Sequence, residues 1–104
     1  MLSVFSPKKP TQYKYDVTIL QAPSYGQRRG YKAVYRLNIL AMSHHEVLES
    51  TFRKFNVLDL VPADYDARYI GTGDIILIDE GINGKTYYQL NIGGWTKINR
   101  VRVI

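Results

Sequence analysis

The sequence contains no cysteine and only two histidines among its 104 residues. The absence of cysteine excludes disulfides, thiol nucleophiles, iron–sulfur clusters and cysteine-ligated zinc. No apolar run approaches the ~20 residues that a membrane-spanning helix requires, so we expect no membrane span. The first ten residues place their charges after a short apolar patch, the reverse of a secretory signal. We therefore expect a cytoplasmic protein.

Charge is distributed in three blocks along a chain of ordinary globular composition, with 45% apolar and 22% charged residues. Residues 1–40 carry a net charge of +6, residues 41–80 carry −5 and residues 81–104 carry +4. The two basic ends would form one basic face if they met in the same sheet, and such a face suits nucleic acid. The alternative is a mixed, solvated surface, in which the net charge of +5 mainly serves solubility.

Two strands are predicted in the first 40 residues. Tyr13–Gln21 and residues 31–40 alternate apolar and polar side chains with the period of two that is typical of half-buried strands. Residues 22–30 contain one proline and two glycines and therefore form a loop, so the two strands should pair antiparallel. Tyr15 and Tyr35, together with one of Tyr87 or Tyr88, are expected to face the core.

A helix is predicted over residues 44–55. Ser43 and Glu46 have the spacing of a capping box, with serine at the N-cap and glutamate three residues later. Leu48, Phe52 and Phe55 follow helical spacing, so this stripe should pack on a sheet, and Phe52 is a predicted core residue. Glu49 and Arg53 stand four residues apart and are expected to pair.

The second half of the chain predicts three further strands. Asp74–Asp79 is nearly continuous in apolar residues and should be buried on both faces. Asn83-Gly84 predicts a hairpin that leads into residues 86–91, and residues 95–103 form the last strand. Residues 57–61 fit either a strand or an irregular packed segment.

These elements indicate an α+β fold in the order β-β-α-β-β-β, with an antiparallel sheet of about five strands and one amphipathic helix on one face. We expect residues 13–104 to form a single domain and residues 1–12 to be a frayed N-terminal arm.

Residue patterns that would carry chemistry are mostly missing. His44 and His45 are adjacent, so on a helix they point about 100° apart and are interpreted as surface residues at the helix start. Residues 71–73, Gly-Thr-Gly, lack the Lys-Ser/Thr ending of a phosphate loop. The aspartates at 64, 66 and 74 lack the spacing of a calcium loop and are interpreted as turn formers. We therefore predict a protein that is not an enzyme, with no catalytic residue, metal site or cofactor.

The candidate binding residues are Tyr25, Arg28, Arg29 and Tyr31. They crowd aromatic rings and guanidinium groups into one loop, a composition typical of protein-binding hot spots and also of base stacking with phosphate contacts. The alternative is structural: the tyrosines cover the sheet and the arginines are solvated.

The chain resembles the YodL-type proteins over about residues 13–103. The resemblance is carried by Tyr15–Gln21 and Gly30–Arg36, then by Arg68–Asp79, Tyr87–Leu90 and Gly93-Gly94-Trp95. It implies a small, non-enzymatic protein of sporulating bacteria that interferes with the actin-like MreB proteins of cell-shape control. The resemblance assigns no catalytic residues and does not say which residues touch the partner.

Three functional hypotheses follow. The first is a protein-binding modulator of a cytoplasmic partner, for which the resemblance implies an MreB-type protein. The second is a small basic domain that binds nucleic acid through its basic ends and Tyr25 and Tyr31. The third is an enzyme or small-ligand binder with a cleft between helix and sheet. If the loop of Tyr25–Tyr31 is not the interface, the next candidate is the helix surface with His44, His45 and Glu49.

Overall fold

The computed structural model describes residues 11–103, so most of the expected N-terminal arm, residues 1–10, lies outside the described part of the chain. Five strands form one antiparallel sheet in the order β2-β1-β3-β4-β5, and one helix follows the second strand. The elements are β1 (Tyr13–Gln21), β2 (Lys32–Ala41), α1 (His44–Asn56), β3 (Ile75–Asp79), β4 (Lys85–Asn91) and β5 (Gly94–Ile98). The predicted α+β class and element order are confirmed. Within residues 11–103 no helix is long and apolar enough to cross a membrane.

The main core lies between α1 and one face of the sheet. Alternate residues of the interior strand β1, Tyr15, Val17 and Ile19, are buried on this face, as the period of two predicts. The helix contributes its own buried side chains, which are Val47, Leu48, Thr51 and Phe55.

A smaller apolar cluster lies on the opposite face of the sheet. Ile75, Tyr87 and Ile98 are buried there, and Tyr31 and Val103 pack against them from the two ends of the chain. As predicted, β3 is therefore covered on both faces, and Tyr87 is the buried member of the pair Tyr87 and Tyr88.

The ends of α1 are fixed by side chains. The Ser43 hydroxyl accepts a hydrogen bond from the Glu46 backbone N–H at 3.3 Å, which confirms the predicted cap. At the other end, the Asn56 side-chain amide donates to the Ile70 carbonyl at 2.9 Å and accepts from its N–H at 2.8 Å. Asn56 therefore ends the helix and also ties it to the segment that leads to β3.

Two expectations about local structure need correction. Strand β5 ends at Ile98 and is followed by a 3₁₀ turn, Arg100–Val103, so the predicted strand to residue 103 is wrong. Residues 57–61 contain an exposed 3₁₀ turn, Leu58–Leu60, in place of a strand or a packed segment. The predicted hairpin forms, with a five-residue connection, residues 80–84, in which Gly81 (φ +63°) and Gly84 (φ +103°) take positive φ. Tyr35 faces the core as predicted, half-buried with its ring edge against Phe55.

Phe52 is the main error in the predicted core, because its side chain is 38% exposed whereas Phe55 is fully buried. The helix is rotated so that Val47, Leu48, Thr51 and Phe55 face the sheet and Phe52 lies at the margin of the interface. Glu49 contacts His45 at 3.3 Å, so the expected pair with Arg53 is not formed.

Candidate protein-binding site

The predicted binding loop presents three of its four candidate residues to solvent. Tyr25 is 62% exposed and Arg28 and Arg29 are exposed, with no carboxylate within 4 Å of either arginine in the described residues. Tyr25 lies over Gly71, where an added Cβ would be only 3.0 Å from the tyrosine ring. Glycine at this position therefore allows the ring to rest on the backbone of the neighbouring loop.

Tyr31, the fourth candidate, serves mainly as an anchor of the loop. Its hydroxyl donates a hydrogen bond to the Gly73 carbonyl at 2.6 Å and accepts one from the Gln89 side-chain amide at 3.0 Å. Because both contacts are internal, the hydroxyl of Tyr31 is less available to a partner than the two arginines are.

A buried polar network around Asp74 holds this loop against the sheet. The Asp74 carboxylate, 2% exposed, accepts hydrogen bonds from Arg68 at 3.0 Å, from Gln21 at 3.1 Å and from the Gly71 N–H at 2.8 Å. Arg68 also donates to the Ala22 carbonyl at 2.9 Å. The turn role predicted for Asp74 is present in its bond to Gly71, but sequence reasoning missed the buried ion pair. The only sign of this ion pair in the sequence was Arg68, six residues before the aspartate.

Tyr65 gives this region a dependence on alkaline pH. Its hydroxyl donates to the Arg68 carbonyl at 2.6 Å, and burial, reinforced by the negative charge of Asp74, raises the pKa of Tyr65 to about 12. The folded state then holds this proton more tightly than the unfolded state does. The protonated Tyr65 therefore contributes its full stabilisation of the fold below pH 10, and this contribution is lost as the pH rises through 12. In denaturant melts at pH 8 to 12, we expect Tyr65→Phe to lose stability less steeply above pH 10 than the parent does. Equal slopes would contradict this.

An open apolar groove lies between α1 and the outer strands β4 and β5, and we call it the α1–β5 groove. Its volume is about 790 Å³. Its apolar walls are formed by Leu48, Phe52, Tyr88, Leu90 and Trp95. His45, Glu49 and Arg53 line its helical rim, and Gly93 and Gly94 line the far end without any bulky side chain. The volume falls in the range of sites that bind ligands or partner side chains.

The groove exists because one helix cannot cover five strands. Neighbouring strands lie about 4.8 Å apart and a helix with side chains is about 10 Å wide, so a helix covers roughly two strands. The contacts of α1 with the sheet are mostly with β2, and the central strands β1 and β3 complete the buried core beneath it. Tyr88, Leu90 and Trp95 on the outer strands are consequently only half-buried, and Phe52 faces the opening.

His44 contacts Tyr88 in the groove wall and is not the free surface residue that was expected. Its Nδ1 lies 2.8 Å from the Tyr88 hydroxyl and its Nε2 lies 2.9 Å from Glu80 Oε1, so it links the start of α1 to β4 and to the β3–β4 turn. Burial, followed by the negative charge of Glu80, raises the pKa of Tyr88. A raised pKa keeps the phenol protonated near neutral pH, which suits a hydrogen-bonding role rather than a nucleophilic one.

Neither surface brings together a set of metal ligands. In the part of the chain that the structure describes, no three histidine, aspartate or glutamate side chains are grouped to hold an ion. The four predicted residues do not line the groove, so the structure presents two separate candidate surfaces. The groove is a cleft between helix and sheet, as the third hypothesis expected, and its rim includes His45 and Glu49 of the second candidate interface. Phe52 and Trp95 were not recognised as groove residues, because they carry no pattern that distinguishes a core position from an exposed one.

Comparison with known proteins identifies one close relative. The chain is 56% identical over 103 residues to a Bacillus subtilis (strain 168) protein described as "Uncharacterized protein YodL". The alignment covers 99% of this chain and 96% of the relative. No protein-family model matches the sequence. No solved structure matches it either. With more than half of its residues identical to YodL over almost its full length, the chain belongs to the YodL family.

Proposed function

We propose that this protein is a non-enzymatic modulator that binds a protein of the cell-shape machinery, of the actin-like MreB type, and alters its activity by occupying its surface. The observation that carries the proposal is the α1–β5 groove, in which Phe52, Tyr88 and Trp95 remain accessible on a rigid helix and sheet. Aromatic residues in a concave apolar site are typical anchors of protein interfaces. The choice of an MreB-type partner rests on the resemblance to YodL-type proteins.

Two features support binding rather than catalysis as the use of this surface. The groove floor is apolar, and its titratable rim residues, His45 and Glu49, are largely exposed and contact each other. Exposed groups of this kind lack the burial that tunes catalytic acids and bases. The loop of Tyr25, Arg28 and Arg29 supplies a second exposed surface with interface-like composition.

The test compares a loop variant and a groove variant for binding to a purified MreB-type protein. Arg28→Ala/Arg29→Ala should keep the fold, because both side chains are exposed, and should weaken binding by roughly 1–4 kcal/mol if both are anchors. Phe52→Asp should weaken binding by at least about 1.4 kcal/mol, a factor of ten, since it places a charge in the groove.

Ile82→Asp is the matched control, because Ile82 is 101% exposed in the β3–β4 turn and does not line the groove. Its affinity should stay within twofold of the parent. If the parent itself shows no saturable binding, the proposed partner is wrong. If both test variants bind as the parent does, the interface lies elsewhere on the protein.

Nucleic-acid binding is the second candidate function, and one observation favours it. Tyr31, from the first basic block, and Val103, from the last, pack on the same cluster, so part of each basic block lies on the same face of the sheet. Binding through phosphates should weaken steeply between 50 and 200 mM salt, and the same Arg28/Arg29 variant should weaken it uniformly across sequences. Binding that is insensitive to salt would exclude this candidate.

A further inference from the structure

We infer that the α1–β5 groove receives an acidic amphipathic helix of the partner protein, which lies alongside α1 on strands β4 and β5. The inference rests on the proposed function, since it names the part of a protein partner that would enter the groove. Three features of the groove carry it: its width, the arrangement of its apolar walls and the charges on its rim.

The width of the sheet leaves room for a second helix. The two edge strands, β2 and β5, are about 19 Å apart at the usual spacing between strands, whereas α1 covers about 10 Å of that width. Residues 45–53 of α1 form one wall of the groove, a length of about 12 Å at 1.5 Å per residue. An occupant of two to three helical turns would match this wall.

The walls meet as a corner rather than as a flat strip. Leu48 and Phe52 project from α1, while Tyr88, Leu90 and Trp95 rise from the sheet. A helix with an apolar stripe about 100° wide can fill such a corner and bury contacts on both walls at once. An added strand would instead continue the sheet edge beyond β5 and leave the wall formed by Phe52 uncovered.

Two cations flank the groove without a carboxylate within 4 Å in the described residues, beside one carboxylate on the helical rim, Glu49. Glu49 is in contact with His45 at 3.3 Å, whereas Arg53 on the helical rim has no carboxylate within 4 Å among residues 11–103. Lys97 is exposed on β5, where it pairs with Tyr88 and lies on the same face of the sheet as Trp95. It too has no carboxylate within 4 Å among residues 11–103. Cations on both sides of an apolar corner complement a helix whose polar face is acidic.

The test is selection from an unbiased display library of 16-residue peptides against the full chain, with removal of peptides that also bind Phe52→Asp. We expect the enriched peptides to have apolar residues at helical spacing and a net negative charge. Synthetic versions should gain helicity on binding and shift the emission of Trp95, the only tryptophan in the sequence. Enrichment of basic, proline-rich or extended sequences would overturn the inference, as would the absence of any groove-dependent peptide.

A charge reversal provides the matched control. Arg53→Glu/Lys97→Glu should weaken binding of the selected acidic peptides at least tenfold and favour versions with lysine in place of the acids. Lys32→Glu/Lys85→Glu makes the same change in net charge at exposed positions outside the groove and should leave the affinity within about threefold. Equal losses in the two variants would indicate non-specific attraction and contradict the inference.

The outcome is separable from that of the proposed function, because the selection contains no MreB-type protein. If acidic helical peptides are selected but the chain does not bind an MreB-type protein, the proposed partner is wrong and the acidic helix as occupant is supported. If the chain binds the MreB-type protein through the groove but no such peptides are selected, the proposed partner is supported and the acidic helix is overturned. A dimer of the chain that Phe52→Asp dissociates would assign the groove to a second copy and overturn the inference.

Discussion

Phe55→Ala is expected to lower the free energy of unfolding by about 3–5 kcal/mol, the usual cost of removing a fully buried phenylalanine. Phe55 is 0% exposed and contacts the rings of Tyr35 and Tyr65, with centroids 5.4 and 4.7 Å away. Its removal opens a cavity between α1 and β1 and also deletes two aromatic contacts. Since small domains have only about 5–15 kcal/mol of stability, a urea melt should show a large fall in the midpoint.

Phe52→Ala is the matched control for this prediction, as it makes the same change one helical turn away at a position that is 38% exposed. The expected loss is about 1 kcal/mol, because much of the ring already contacts water. Equal losses of unfolding free energy in the two variants would mean that α1 buries a different face from the one seen in the structure. A larger loss at Phe52 would restore it as a core residue.

Asp74→Ala is expected to destabilise the fold by about 3–5 kcal/mol, because it leaves Arg68 and the Gln21 amide without their shared buried acceptor. The carboxylate receives three hydrogen bonds that join two parts of the chain, strand β1 through Gln21 and the segment before β3 through Arg68 and Gly71. Its loss should therefore also loosen the loop of Tyr25–Tyr31. Thermal melts followed by hydrogen exchange would measure both effects.

A double-mutant cycle with Arg68→Ala tests whether the two residues act as a pair. Arg68→Ala alone exposes the buried carboxylate, so it too should be clearly destabilising. The double variant should lose less than the sum of the single variants, with a coupling of about 1–3 kcal/mol. Strict additivity would show that the ion pair contributes nothing beyond its separate hydrogen bonds.

The strands and the helix could be predicted because local patterns specify them. The alternation along residues 13–21 places Tyr15, Val17 and Ile19 on one face whatever the rest of the chain does. Ser43 and Glu46 likewise cap α1 through contacts only a few residues apart. The family resemblance agreed with these patterns.

The position of Phe52 could not be predicted, because it depends on how many strands one helix can cover. Helical spacing places Leu48, Phe52 and Phe55 on a common stripe, but it does not say where the buried arc of the helix ends. That arc is set by the lateral position of α1 over β1 and β2, and so depends on contacts distant in sequence. Phe52 and Trp95 were not identified as groove residues for this reason.

The roles of His44 and Asp74 were also hidden in the sequence, since their partners are remote. His44 meets Tyr88 and Glu80, which are 44 and 36 positions away. Asp74 meets Gln21 at a separation of 53. A histidine at a helix start and an aspartate in a glycine-rich turn are both explained locally, so nothing in the pattern indicates the second role.

The strand order has a consequence for how the chain is assembled. Strand β1 pairs on one side with β2, its neighbour in sequence, and on the other side with β3, which is encoded more than half the chain later. During synthesis the first hairpin and α1 can form while the other edge of β1 has no partner. Closure of that long loop should be the slow step, and until β3 emerges from the ribosome the nascent chain carries an open strand edge that can template aggregation.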